Sequence, residues 1–176
     1  MHIKTISSKF VPYILTIYTI VLLTKKTKYA VKALMALARN KENKPMLISE
    51  IATREQLPKK FLEAILLELK RNGFLGSKKG AGGGYYMMKK AEEIKLAAII
   101  RIIDGPIALL PCVSLNFYER CEECTNEIYC GIRDVMKDVR DATLMILGET
   151  SLADMIARED AIREKLPEGE TQQFFH

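Results

Sequence analysis

The chain has 176 residues, 48% of them apolar and 28% charged, which suits one ordinary domain with an appendage and excludes global disorder. Its net charge of +5 conceals a split: residues 1–23 carry +2, residues 24–90 carry +11 and residues 91–176 carry −8, so a basic half suited to a polyanion precedes an acidic one. The only two histidines, His2 and His176, stand at the ends, which excludes a histidine-based triad or a histidine-rich metalloenzyme site.

Residues 1–23 form an apolar extension. Phe10 to Leu23 is an apolar run of 14 residues, short of the roughly 20 that span a bilayer. Lys4 and Lys9 precede it in the manner of a signal peptide, but no small-residue cleavage pattern follows. Lys25, Lys26 and Lys28 then place positive charge on the far flank as well. A membrane-touching helix, a defective signal and leader sequence upstream of the true start are the three readings. We expect the third, and with it a cytoplasmic protein without membrane contact.

Residues 24–90 read as a winged helix-turn-helix. Tyr29, Ala30, Ala33, Leu34, Leu37 and Ala38 recur at three- and four-residue steps, which predicts a helix over Lys28 to Arg39. A second helix is expected from Ser49, as N-cap, with Ile51, Ala52 and Leu57 inward. Pro58 opens a third, with Phe61, Leu62, Ile65, Leu66 and Leu69 inward and Gly73 as the stop. Two short helices joined by a tight turn suit a DNA major groove, though an ordinary three-helix bundle has the same pattern. A hairpin favours the first reading. Phe74 to Lys79 and Tyr85 to Met88 read as strands around the tip Gly80-Ala81-Gly82-Gly83-Gly84, which together make a wing. This glycine loop lacks the Gly-Lys-Ser/Thr ending of a nucleotide-binding P-loop and the spacing of a dinucleotide fingerprint.

A connecting helix is expected over Ile94 to Ile103 within residues 91–111, closed by Asp104-Gly105-Pro106. Residues 112–130 carry all the cysteines, as Cys112-x8-Cys121-x2-Cys124-x5-Cys130. Without a convincing export signal, four such thiols point to metal more than to disulfides. An iron–sulfur cluster, structural zinc and a thiol-disulfide switch all suit them, as does no role at all. Zinc sites more often pair two Cys-x2-Cys knuckles, and only Cys121 and Cys124 make one. Within residues 131–155 a long helix is expected over Gly131 to Leu147. Ile132, Val135, Met136, Val139, Ala142, Thr143 and Ile146 make a heptad-like seam for a second subunit. A short C-terminal helix follows, then a polar tail over 156–176 that is expected to be mobile from about Pro167 and is assigned no function. The fold class is mainly α: a winged helix-turn-helix with a small β-hairpin, plus a long dimerisation helix. No histidine or carboxylate constellation supports catalysis, so a redox enzyme built on the cysteines is a distant alternative and no small-molecule substrate is expected.

Three segments carry a family resemblance. They are Leu23-Thr24-Lys25-Lys26-Thr27-Lys28-Tyr29-Ala30-Val31-Lys32-Ala33-Leu34; Ile48-Ser49-Glu50-Ile51-Ala52 through Lys70-Arg71-Asn72-Gly73; and Gly80-Ala81-Gly82-Gly83-Gly84-Tyr85. They resemble the family of the iron–sulfur cluster regulator, the nitric-oxide-sensing repressor and the cysteine metabolism repressor, over residues 22–155. The resemblance implies a homodimeric winged-helix transcription factor that binds a palindromic double-stranded DNA operator. It also implies a natural start near Val21. By resemblance Thr24, Lys26 and Tyr29 contact backbone phosphate. At the exposed start of the third helix Lys59, Lys60 and Glu63 are expected to meet base edges and phosphates, and Lys79 is expected to enter the minor groove beside the wing, whose tip holds Lys78, Gly82 and Gly83. Cys112 and Cys130 match the first and last of three family cysteines, and Cys121 or Cys124 the middle one. The histidine that completes the set in the iron–sulfur cluster regulator is Arg133 here. The nitric-oxide sensor's aspartate has only Lys26 and Lys28 in its region. The expected ligand set is therefore all four cysteines, around a 2Fe-2S or 4Fe-4S cluster or, alternatively, zinc.

Overall fold

The computed structural model describes residues 23–40 and 42–165. The extension before Leu23 and the tail beyond Lys165 lie outside the described residues. Among the described residues no helix is long and apolar enough to cross a membrane.

Helix α1 spans Lys25–Ala38 and starts three residues before the periodicity alone suggests, because Thr24 caps it. The Thr24 hydroxyl accepts the Thr27 N–H at 3.2 Å. Ala30, Val31, Ala33, Leu34, Ala36 and Leu37 are buried along one broad face. Three alanines in that face let neighbouring helices come close. Helix α2, Ile48–Glu55, and helix α3, Lys59–Arg71, pack against it to complete the helix-turn-helix. Ser49 is not the cap of α2. Leu47 holds that position, and its N–H donates to the Glu50 carboxylate at 2.8 Å, so the acid reaching back does the capping. Gln56 ends α2 in the left-handed region at φ 53°, and Pro58 then caps α3.

Helix α3 buries Leu62, Ile65, Leu66 and Leu69. Phe61, expected on that face, is 66% exposed. Successive helical residues turn by about 100°, so Phe61 falls on the flank of a stripe centred on Leu62, Ile65 and Leu69.

The wing pairs β1, Leu75–Lys78, antiparallel to β2, Gly84–Met87, with Leu75 opposite Met87 and Lys78 opposite Gly84. Two devices fix it to the helices. Met46 and Tyr85 exchange backbone hydrogen bonds of 2.8 and 2.9 Å. The Asn43 amide brackets Met87, donating to its carbonyl and accepting from its N–H, both at 3.0 Å. Gly84 sits at φ 145°, and a Cβ there would collide with the Met46 carbonyl, so only glycine lets the two backbones meet.

Helix α4, Leu96–Ile103, follows the wing and packs on α1 and α3. Helix α5, Gly131–Glu149, and helix α6, Leu152–Lys165, complete the described chain. The first part of the expected polar tail, 156–165, lies within α6. Asp154 accepts from both the N–H and the hydroxyl of Ser151, at 2.8 and 2.5 Å, starting α6. Leu152, Met155 and Ile156 then pack on the core. Arg39 of α1 pairs with Glu159 at 2.9 Å and Asp160 at 2.6 Å. Charges that read as solvated tail are what fasten this helix.

A longer-range tie joins the end of α4 to the start of α1. Asp104 accepts the Thr24 N–H at 3.1 Å and the Thr24 hydroxyl at 2.5 Å. Asp104→Ala is expected to lower stability by about 1–2 kcal/mol through loss of this capping partner. Urea unfolding followed by circular dichroism checks it, and an unchanged midpoint would show the tie to be dispensable.

Candidate functional site

The expected DNA-contact residues lie on α3, on the wing and on α1. Lys59 and Lys60 are exposed in the first turn of α3, and Glu63 is exposed just after it. Lys78 and Lys79 are exposed at the start of the wing tip, with Gly80 at φ 89° and Gly82 at φ 68° shaping the turn. Gly82 is exposed, but Gly83 is buried: its N–H donates to the Gly80 carbonyl at 2.9 Å. A Cβ on Gly83 would stand 2.5 Å from the Lys78 oxygen. Gly83 therefore closes the wing turn and does not present itself to a ligand.

The three residues of α1 are less free than the resemblance implies. Both donors of Thr24 are engaged by Asp104. Lys26 pairs with Glu68 of α3 at 2.6 Å. Both of those side chains are substantially exposed, so the pair is weak and exchangeable for a phosphate. Tyr29 is half-buried and packs on the core. Asp104 and Glu68 escaped the sequence reading because nothing local marks a carboxylate as the partner of a residue far away in the chain.

The cysteines lie between the winged unit and α5. Cys112 sits in a single 3-10 turn, Pro111–Val113, buried with Ala108 and Val113. Cys121 and Met136 pack against that small cluster. The Cys124 and Cys130 sulfurs are 3.6 Å apart. Cys130 caps α5, its sulfur accepting the Arg133 N–H at 3.5 Å. All four thiols are free of disulfides.

Their acidities differ for local reasons. Hydrogen bonds to the Cys121 and Cys130 sulfurs push Cys124 up to about 12. The Arg133 N–H, with help from Cys124, holds Cys130 below the usual thiol value. Burial pushes Cys112 up. Thiols this close share protons, because adjacent thiolates repel unless a cation stands between them. That is the chemistry of a soft-metal donor set. Among the described residues, however, no three His, Cys, Asp or Glu side chains stand together closely enough to hold an ion as arranged. Cys124 and Cys130 form a close pair, and Cys121 packs against the cluster that holds Cys112.

Helix α5 has 19 residues and none is buried. Ile132, Val135, Val139 and Ile146 are exposed, with Ile132 at 69% and Ile146 at 62%. With Ala142 they follow alternating three- and four-residue steps. Met136 does not belong to this seam, since it packs on the Cys112 cluster. Thr143 is half-buried and donates to the Val139 carbonyl at 2.7 Å.

Comparison with known proteins gives a consistent picture. The family described as Rrf2, iron-dependent transcriptional regulator, matches residues 23–158. An rrf2-like HTH-type transcriptional regulator of Rhodobacter capsulatus is 42% identical over 139 residues, which are 77% of this chain and 93% of the relative. The HTH-type transcriptional regulator IscR of Serratia proteamaculans is 27% identical over 140 residues, 80% of this chain and 82% of that protein. Among solved structures, CymR, the global cysteine regulator of B. subtilis, superposes with a TM-score of 0.65 at 26% identity, covering 79% of this chain and 98% of the other. T. potens IscR shares the fold, with a TM-score of 0.62 at 24% identity over 85% of this chain and 94% of the other. These relatives are DNA-binding regulators and not enzymes, which sets aside the redox-enzyme reading. With the family matched over most of the chain and the winged fold in place, this chain belongs to the Rrf2 family of helix-turn-helix transcriptional regulators.

Proposed function

We propose that the chain is a homodimeric regulator that reads a palindromic double-stranded DNA operator and senses redox, iron or nitric oxide through an iron–sulfur cluster. The observation that carries this reading is the placement of four free thiols between the DNA-reading unit and an unburied apolar helix. Cys112, Cys121, Cys124 and Cys130 would hold the group, and when bound it supplies a centre whose charge and ligation change with redox state.

The chain's own contacts offer a route from that loop to DNA. Cys130 is the N-cap of α5, so its position sets the first turn of the helix that would join two subunits. Cys112 follows α4 closely in sequence, and Asp104 at the end of α4 holds Thr24 at the start of α1. A phosphate approaching Thr24 competes with Asp104 for the same two donors. A shift of the cysteine loop thereby alters both the angle between two heads and the freedom of one DNA contact, a coupling that works in both directions.

The first experiment is anaerobic purification with iron, sulfide and zinc analysis and a visible spectrum. Near-stoichiometric iron and sulfide supports the reading. Zinc alone in a colourless protein would leave a zinc-stabilised regulator and remove the sensing mechanism. The 3.6 Å between the Cys124 and Cys130 sulfurs favours one further reading, a thiol switch. If that is the mechanism, a mild oxidant gives a Cys124–Cys130 disulfide in peptide maps, and reduction restores operator affinity.

For DNA, Lys60→Ala and Lys79→Ala are each expected to weaken operator binding and to reduce the salt slope of log K by about 1. Fluorescence anisotropy across a salt series measures both, and an unchanged slope would place either lysine off the backbone. Val139→Glu puts a charge in the α5 seam and is expected to give a monomer in sedimentation equilibrium with little operator affinity. A dimer that survives the change would move the subunit contact elsewhere.

A further inference from the structure

The cysteine loop is held to α5 by a small polar network. Arg133 bears on three of the four cysteines. Its backbone N–H donates to the Cys130 sulfur at 3.5 Å, and its Nε donates to the Cys112 carbonyl at 3.3 Å. Its Nε also lies 3.7 Å from Glu127, in a pair whose side chains are only 22% and 16% exposed. Glu127 in turn accepts the Cys121 N–H at 3.2 Å and the Tyr118 hydroxyl at 2.7 Å. Two turns along α5, Arg140 donates to the Val113 carbonyl at 2.5 Å. Met136, between the two arginines, packs on the Cys112 cluster.

This arrangement answers a problem of reach. Cys121, Cys124 and Cys130 lie within 10 residues of one another, and the Cys124 and Cys130 sulfurs are 3.6 Å apart. Cys112 is buried in its own turn, separated from Cys121 by eight residues of chain. Residues 115–120 in that connection are all exposed, so packing alone does little to hold its two ends together. The guanidinium does so, because it grips the Cys112 backbone and, through Glu127, the Cys121 backbone. Arginine has no lone pair for a metal, so its part is to place ligands and not to be one.

We infer that Arg133, paired with Glu127, is a positioning residue that ties the Cys112 turn to the segment carrying Cys121, so that a metal can draw the four thiols into one donor set. The inference rests on the ligand-set reading above. It assigns Arg133 a role although a metal has no direct use for its side chain.

Cobalt(II) alone, titrated anaerobically into the full chain, tests it. Each cobalt–sulfur bond forms as one thiol proton passes to solvent, and the sulfur-to-cobalt charge-transfer band grows with the number of thiolates bound. The wild type is expected to give a four-thiolate band. Arg133→Met is expected to give about three-quarters of that intensity, the value for three thiolates, with an unchanged far-ultraviolet spectrum. Cys112→Ser should give the same band, and the double variant should lose nothing further, because both changes remove one ligand. Arg133→Lys keeps the charge and can still donate, but lacks the planar guanidinium, and should recover part of the band. Glu127→Gln is nearly isosteric and so safe for the fold. It frees Arg133 and should also lower the band.

A full four-thiolate band in Arg133→Met or Glu127→Gln overturns the inference while leaving the four-cysteine set intact. Additive losses in the double variant also overturn it, since Arg133 would then act on a sulfur other than that of Cys112. A wild type with no charge-transfer band overturns the inference together with the ligand-set reading.

Discussion

Burial of one face of α1 is the constraint on which the rest of the molecule depends. Ala30, Ala33, Leu34 and Ala36 are completely shielded, and α2, α3, α4, β2 and α6 all pack around this helix. Alanine is the residue that makes this possible. It favours helix, buries no polar atom and keeps the surface narrow enough for several partners to approach the same stretch of backbone. Leu34 and Leu37 add larger side chains to the same buried face. Helix α3 is thus held by a core to which it contributes Leu62, Ile65, Leu66 and Leu69, and its other faces are left for solvent or ligand.

The same economy shapes the wing. Its two strands are short and would be marginal as an isolated hairpin. They persist because Met46 extends the pairing by one residue and the Asn43 amide grips Met87. The glycines then divide by role. Gly84 permits a close backbone approach, Gly83 closes the turn, and Gly80 and Gly82 supply left-handed conformations near the exposed tip. A glycine-rich loop next to lysines is therefore a structural device first, and only its outer residues face anything beyond the protein.

The cysteine loop and α5 follow a different logic. The winged unit satisfies its own core, whereas α5 buries none of its residues and exposes a regular apolar seam. Exposed apolar area on this scale has a hydrophobic cost unless something covers it. The loop joins the two regimes. Cys112 belongs to a small buried cluster, Cys130 caps the unburied helix, and Arg133 reaches between them. The loop therefore touches both parts of the molecule while standing apart from the main core.

Helix positions, the wing and the cysteine cluster were legible in the sequence because each depends on short-range pattern. Alternating three- and four-residue steps set the helices, glycine and lysine set the hairpin tip, and the cysteine spacing set the loop. What only the tertiary structure decided depends on partners distant in the chain. Asp104 meets Thr24 across 80 residues, and Arg39 meets Glu159 across 120, and no local pattern announces either contact. Phe61 and Met136 were each placed on the wrong face, because periodicity gives a stripe but not its edges, and edges are set by what packs alongside. Arg133 read as a missing ligand in the sequence. The fold turned it toward the Cys112 carbonyl and Glu127, because the direction of a long polar side chain is fixed by which hydrogen-bonding groups the assembled fold brings within its reach.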